Sequence, residues 1–177
     1  MFIALIVLII ISVLLFLGVS SILVFSCVSG SSMNPTLKDK DWIVCCRDAK
    51  YRRGDIILFF RGQHKTFDRN RILVKGRKQV YIKRIIAFAG EEINIKNGTV
   101  YINGTELEEE YLPSHIKTVS LNNNPITIPK GFVFVMGDNR NHSIDSRSAS
   151  FGLVNEDNII ATCFSRVITN DEYGAIK

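Results

Sequence analysis

Glu92-Ile93-Asn94-Ile95-Lys96-Asn97-Gly98-Thr99-Val100-Tyr101-Ile102 reads as two short strands joined by a two-residue turn. Apolar residues alternate with polar ones on either side of Asn97-Gly98, and Asn-Gly tolerates the positive φ that a tight hairpin needs. Asn103-Gly104 marks the next turn. Downstream, Phe132-Val133-Phe134-Val135-Met136 is an apolar run that delivers the chain to Gly137. Upstream, three further runs have strand composition: Trp42 to Cys46; Asp55 to Phe60, entered through the turn Arg53-Gly54; and Lys78 to Ala87, rich in Val, Tyr and Ile. Asn158 to Ile168 is a candidate last strand. Past residue 37 no segment carries a helical period, apart from a short turn at Glu106 to Tyr111. The pattern predicts a mainly β domain with a looped insertion at about 91–131. Residues 61–78 are polar and basic and are expected as a loop. Residues 112–130, with Asn122-Asn123-Asn124-Pro125 inside, are expected as an exposed excursion of the insertion. There is no internal repeat and no low-complexity tract.

The N-terminus differs in kind. No charged side chain occurs from Met1 to Leu37, and Phe2 to Val28 is almost wholly apolar. About 20 apolar residues suffice to cross a bilayer as a helix. A cleaved leader would have a basic start and a shorter apolar core. The reading is a single retained transmembrane anchor at 1–28 followed by a domain at 29–177. All 22 Lys and Arg and all 17 Asp and Glu of this 177-residue chain lie after Leu37, so that domain carries the whole net charge of +5. Such an excess is a solvated basic surface or one drawn to anionic lipid headgroups. No nucleic-acid-binding motif accompanies it, and nucleic acid is not expected as a partner. Trp42, Phe59 and Phe60 supply aromatic groups suited to a membrane interface.

Four cysteines, Cys27, Cys45, Cys46 and Cys163, show no CxxC spacing, so no zinc site is expected. Adjacent residues of a strand face opposite ways, so Cys45 and Cys46 would too. A bridge from either to Cys163 is open, as is the role of small buried hydrophobes.

Three blocks could carry chemistry. The first is Gly30-Ser31-Ser32-Met33-Asn34-Pro35-Thr36, just past the apolar run. The second is Tyr81-Ile82-Lys83-Arg84-Ile85, and the third is Gly137-Asp138-Asn139-Arg140, continuing to Ser143, Asp145, Ser146 and Arg147. A serine needs a base to become a nucleophile. A lysine serves as that base only when burial lowers its pKa. Strand alternation puts Lys83 on one face with Tyr81 and Ile85, where it would be desolvated. Pro35 constrains the backbone beside Ser32, and Gly30 permits unusual dihedrals.

In order and spacing these blocks resemble the type I bacterial signal peptidases, membrane-anchored Ser-Lys proteases, from about Val28 to Val154. The resemblance implies a signal-peptidase-like β domain outside the cytoplasm that cuts signal peptides from exported preproteins, without metal or cofactor. It implies Ser32 as nucleophile and Lys83 as base. It further implies that Ser143 orients the lysine, and that Asp145 pairs with Arg147 and with Arg84 beneath the site. Gly30 stands where some members carry an oxyanion-binding serine. Gly90-Glu91 replaces a usual Gly-Asp, and Gly152 lies two residues later than the pattern, which lengthens that loop. Lys75 and Lys78 rival Lys83 by composition alone, and a lysine at 83 makes His64, His115 or His142 an unneeded base. Asn97, Asn103 and Asn141 begin short N-x-Thr or N-x-Ser triplets and read as turn residues. A non-catalytic membrane-anchored assembly factor of the same fold, as in pilus assembly, is the alternative. Such relatives typically lose the serine or the lysine. A self-cleaving Ser-Lys repressor-like protein would lack the anchor.

Overall fold

The computed structural model describes residues 2–47, 49–61, 79–119, 124–168 and 174–175. The expected polar loop from 62 to 78, with His64, Lys75 and Lys78, lies outside the described residues, as do Asn122 and Asn123 of the excursion.

The uncharged N-terminal run forms helix α1 (Phe2–Ile22). It stops at Ile22, whose carbonyl accepts a hydrogen bond from the Arg47 N–H at 2.8 Å. The chain then extends as strand β1 (Leu23–Cys27), antiparallel to β2 (Trp42–Cys46) with Leu23 opposite Cys46 and Cys27 opposite Trp42. The apolar run read as an anchor to residue 28 is therefore divided, and its last residues belong to the sheet. Strand alternation is the reason: Val24 packs on the core while Phe25 is 60% exposed. Among the described residues no helix is long and apolar enough to cross a membrane.

The domain is mainly β, as expected. The remaining strands of its first sheet are β3 (Ile56–Arg61), β4 (Gln79–Ala87), β9 (Phe132–Met136), β10 (Val154–Asn155) and β11 (Ile159–Ile168). Its order is β1-β2-β11-β3-β4-β9-β10, with β12 (Gly174–Ala175) beside β11. The insertion builds a second sheet from β5 (Glu92–Lys96), β6 (Thr99–Ile102), β7 (Thr105–Glu106) and β8 (Ile126–Thr127), in the order β7-β6-β5-β8. The predicted hairpin is β5–β6, with Lys96 opposite Thr99. Asn97, Gly98 and Asn103 all have positive φ, as their turns demand. The short strands β7, β8, β10 and β12 left no periodic signal, because two residues cannot show a period. The turn expected at 106–111 is closed by one bond, Leu112 N–H to Glu109 O at 2.9 Å, and forms no helix. The excursion at 112–130 is only partly exposed, since Thr118 and Ile128 are buried.

Three apolar clusters hold these layers. One gathers Val28, Met33 and Leu37 onto Ile43, Cys45, Ile56, Leu58 and Cys163. A second joins the two sheets through Ile86, Ile93, Val100, Ile128 and Phe134. A third packs Ile57, Phe59, Ile85, Val135 and Phe151. Each such side chain contributes about 1.5–3 kcal/mol when fully buried. Phe59, expected at a membrane interface, is 0% exposed, because its strand is covered on that face by Tyr81 and Phe151. Trp42 does face solvent. All four cysteines are free. Cys45 lies directly opposite Cys163, whereas Cys46 lies opposite Thr162. The Cys45 thiol beside it, together with burial, pushes the Cys163 thiol up.

The hairpin turn yields a test. Gly98 has φ +91°, and a Cβ there would sit 2.8 Å from Lys117 Cβ. Gly98→Ala is expected to destabilise the protein by more than about 1 kcal/mol, read as a lower urea midpoint with unchanged slope. An unchanged midpoint would show that the turn can relax.

Candidate active site

Ser32 sits on a loop with apolar roots. Met33 and Leu37, on either side of the turn, are 1% and 0% exposed in the first core cluster. The loop is closed by Asn34 N–H to Ser31 O at 3.1 Å and Leu37 N–H to Met33 O at 2.9 Å. Gly30 takes φ +91° and donates its N–H to Asp39 Oδ1 at 2.7 Å.

Strand β4 supplies Lys83, which pairs across to Ile57 of β3. Its Nζ reaches Ser32 Oγ at 2.6 Å and donates to the Ile82 carbonyl at 3.1 Å. Lys83 is buried, and desolvation lowers its pKa from the ordinary 10.5 to about 8, against the opposing pull of Asp145 and Asp138. A neutral amine is thus accessible near physiological pH, with its lone pair beside a serine hydroxyl. That is the relation a base and a nucleophile require.

Around this pair lies a set of buried ion pairs. Arg147 grips Asp145 through Nε at 2.8 Å and Nη2 at 2.9 Å. Burial alone would raise the Asp145 pKa, but the Arg147 bonds and charge, with the Gly137 N–H at 3.0 Å, hold it below the ordinary value. Arg84 does not join Asp145. Its Nε and Nη2 donate to Asp138 at 2.9 and 2.6 Å, because Asp138 follows β9, whose Met136 is opposite Arg84. Thr36 adds its hydroxyl to Asp138 Oδ2 at 2.5 Å. Ser143 Oγ makes no hydrogen bond of ordinary geometry among the described residues, to Lys83 or otherwise, although it lies near enough to Asp145 to help hold that charge.

Other positions gained meaning only in three dimensions. Asn139 N–H donates to Ser32 O at 3.1 Å, and its Nδ2 donates to Ser31 O at 3.0 Å. A Cβ on Gly137 would collide with Ser32 O and Ser143 Oγ. These contacts lay the Gly137-Asp138-Asn139 turn directly against the Ser32 loop, as the family resemblance implies. Glu91, the departure from Gly-Asp, accepts from Phe88 N–H at 2.7 Å and pairs with Arg53 at 2.5 Å. The longer loop after Arg147 buries Phe151 against Tyr81, with ring centroids 5.6 Å apart, and Arg61 lies 4.3 Å over the Phe151 ring. Among the described residues no group of His, Cys, Asp or Glu is placed to hold a metal ion.

Beside Ser32 is a pocket of about 120 Å³, lined by Ser26, Cys27 and Ser29 from the β1 side and by Val80 and Ile82 from β4.

The sequence matches the family model described as "Signal peptidase, peptidase S26" over residues 2–168. It is 38% identical over 146 residues to a signal peptidase I of Bacillus amyloliquefaciens, covering 76% of this chain and 68% of that one. The same figures hold for signal peptidase I T of Bacillus subtilis strain 168. A crystal structure of a signal peptidase I from Enterococcus faecalis aligns with a TM-score of 0.46 at 33% identity, over 64% of this chain and 97% of that one.

Two outcomes follow from the packing and burial. Gly137→Ala forces two neighbours aside and is expected to cost roughly 1–3 kcal/mol; an unchanged thermal midpoint would mean that the loop moves freely away from Ser32. Lys83 has a folded-state pKa below its unfolded one, so between pH 8 and 10.5 the unfolded chain binds more protons and stability rises with pH. Below pH 8 the full penalty applies, roughly 3 kcal/mol. Lys83→Met should therefore be more stable than the parent at pH 7, with the gap narrowing by pH 10. A pH-independent gap in urea midpoints would refute the desolvation account.

Proposed function

The chain belongs to the signal peptidase family, peptidase S26, and is a peptide-bond hydrolase; from this premise we propose that it removes signal peptides from exported preproteins with Ser32 as nucleophile and Lys83 as base. The observation that carries this reading is the 2.6 Å contact between Lys83 Nζ and Ser32 Oγ in a buried setting. Neutral Lys83 takes the Ser32 proton, and the alkoxide attacks the scissile carbonyl. The Ser32 main-chain N–H is the proposed oxyanion donor, since Gly30 brings no hydroxyl. The protonated lysine then passes its proton to the leaving amine, and an acyl-enzyme remains. Water deprotonated by the same lysine releases it.

Substrate geometry supports the reading. Strand β4 pairs with β9 from Arg84 onward, so among the described residues Gln79–Ile82 have β3 on one side alone. An extended peptide laid along that edge would gain main-chain hydrogen bonds. Ligand pockets usually measure about 300–1,000 Å³, whereas the one beside Ser32 is about 120 Å³. It therefore suits only a small side chain before the cut.

Helix α1 is the proposed single-pass membrane anchor, with the β domain on the extracytoplasmic face. Phe25, Trp42 and Phe164 are exposed and near the start of the domain or on the strand beside it, where they suit a lipid interface. Ser32 would lie close to the surface where a preprotein emerges.

The test is cleavage of a preprotein by the purified full chain in detergent. Ser32→Ala and Lys83→Arg should both abolish cleavage, since arginine keeps its proton. The rate of the parent should climb with pH through a value near 8, because the neutral amine is the active form. An active Lys83→Arg protein would overturn the lysine-base mechanism. A well-folded parent that cuts no preprotein would favour a non-catalytic assembly role.

A further inference from the structure

Segment 107–119 leaves the second sheet and crosses to the Ser32 site. Thr118 N–H donates to the Gly98 carbonyl at 2.9 Å, which ties the segment to the hairpin turn. Leu107 holds its start on the second sheet, donating to the Val100 carbonyl at 2.9 Å, and several of its remaining contacts are with arginines of the site. The Tyr111 ring lies flat beneath Arg84, 3.8 Å from its Cζ, with Arg140 Cζ at 6.0 Å. The Tyr111 hydroxyl donates to Glu109 Oε1 at 2.7 Å. Glu109 accepts two bonds from Arg140, at 2.5 and 3.0 Å. Arg140 in turn donates through Nε to Gly137 O at 3.2 Å and through Nη1 to Thr118. Arg147 Nη1 reaches Val119 O at 3.3 Å.

These contacts lie one step from the reacting pair. Arg84 follows Lys83 in β4 and holds Asp138. Asp138 lies between Gly137, which fits against Ser32 O, and Asn139, which donates to it. We infer that Tyr111 and Glu109 are positioning residues: the ring seats the Arg84–Asp138 pair, the carboxylate seats Arg140, and together they hold the Asp138 turn against the Ser32 backbone. A cation over an aromatic face is favoured by the ring quadrupole, and more so when water is excluded. Here two guanidiniums share one ring, and their repulsion is offset by Asp138 and Glu109. The groups facing Lys83 across this arrangement are Asp138 and Asp145, each bound to its own arginine. The insertion is thereby more than an appendage, since it supplies the floor of the site.

The inference rests on the assignment of Ser32 and Lys83 above, and its test is built to separate the two. Tyr111→Leu keeps apolar bulk and loses the ring face; Tyr111→Phe keeps the ring and loses only the hydroxyl. In the full-length protein with a preprotein substrate, Tyr111→Leu should lower kcat about tenfold or more with KM nearly unchanged, as expected when reacting groups are displaced but the peptide edge is intact. Tyr111→Phe should stay within about threefold of the parent. Glu109→Gln should fall between them. The inference is overturned if Tyr111→Leu retains the parent kcat, if Leu and Phe variants lose activity equally, or if the loss lies in KM alone. A Ser32→Ala control that remained active would remove the nucleophile assignment and this inference with it. An inactive control beside an unaffected Tyr111→Leu would sink the positioning role alone.

Discussion

The buried pair of Arg84 and Asp138 joins three parts of the chain that are far apart in sequence. Arg84 comes from β4, Asp138 from the turn after β9, and Thr36 from the Ser32 loop. Both charged groups are essentially inaccessible to water. A buried charge left without partners is costly, whereas a paired and fully hydrogen-bonded one is tolerated. Here the guanidinium is satisfied by Asp138, by the Gly54 carbonyl at 2.5 Å and by the Tyr111 ring. The arrangement gains definition from this. Any displacement of β4 relative to the Asp138 turn would strand a charge in the interior, so the strand that carries Lys83 and the turn that touches Ser32 keep one relation.

The same pairing bears on the lysine. Asp138 and Asp145 both favour a protonated Lys83, and each opposes the larger effect of desolvation. Each is engaged by its own arginine. Desolvation then outweighs the residual attraction, and the amine moves down toward neutrality. In the proposed mechanism this separates two demands: carboxylates brace the loops, while the amine remains free to exchange a proton.

Topology adds the access route. Strands β1 and β4 approach the Ser32 pocket from two sides, and among the described residues β4 is unpaired on one edge just before Lys83, because β9 begins its pairing at Arg84. The division of the first apolar run at Ile22 matters equally. Had the helix continued to residue 28, β1 would not exist, the pocket would lose the wall formed by Ser26 and Cys27, and Val28 would not reach the core.

Local chemistry was legible in the sequence wherever it acts over a few residues. The Asn97-Gly98 hairpin, strands β2, β3, β4, β9 and β11 and the apolar N-terminal run follow from alternation, turn chemistry or composition, whereas β1 was hidden in the apolar run and the Asp145–Arg147 pair came only with the family resemblance. The resemblance to a known family supplied the expectation that Ser32 and Lys83 meet. What lay beyond reach were relations set by packing. Arg84 chose Asp138 over Asp145 because strand register puts Met136 opposite Arg84. Ser143 made no hydrogen bond to Lys83. Phe59 proved to be core because Phe151 and Tyr81 cover it. Tyr111 and Glu109 carried no sequence signal, since a lone Tyr and Glu in a polar loop acquire partners only when the second sheet is laid against the first. Periodicity encodes which face of an element is apolar; the identity of a buried charge's partner depends on distances across the whole fold, and only tertiary structure decides those.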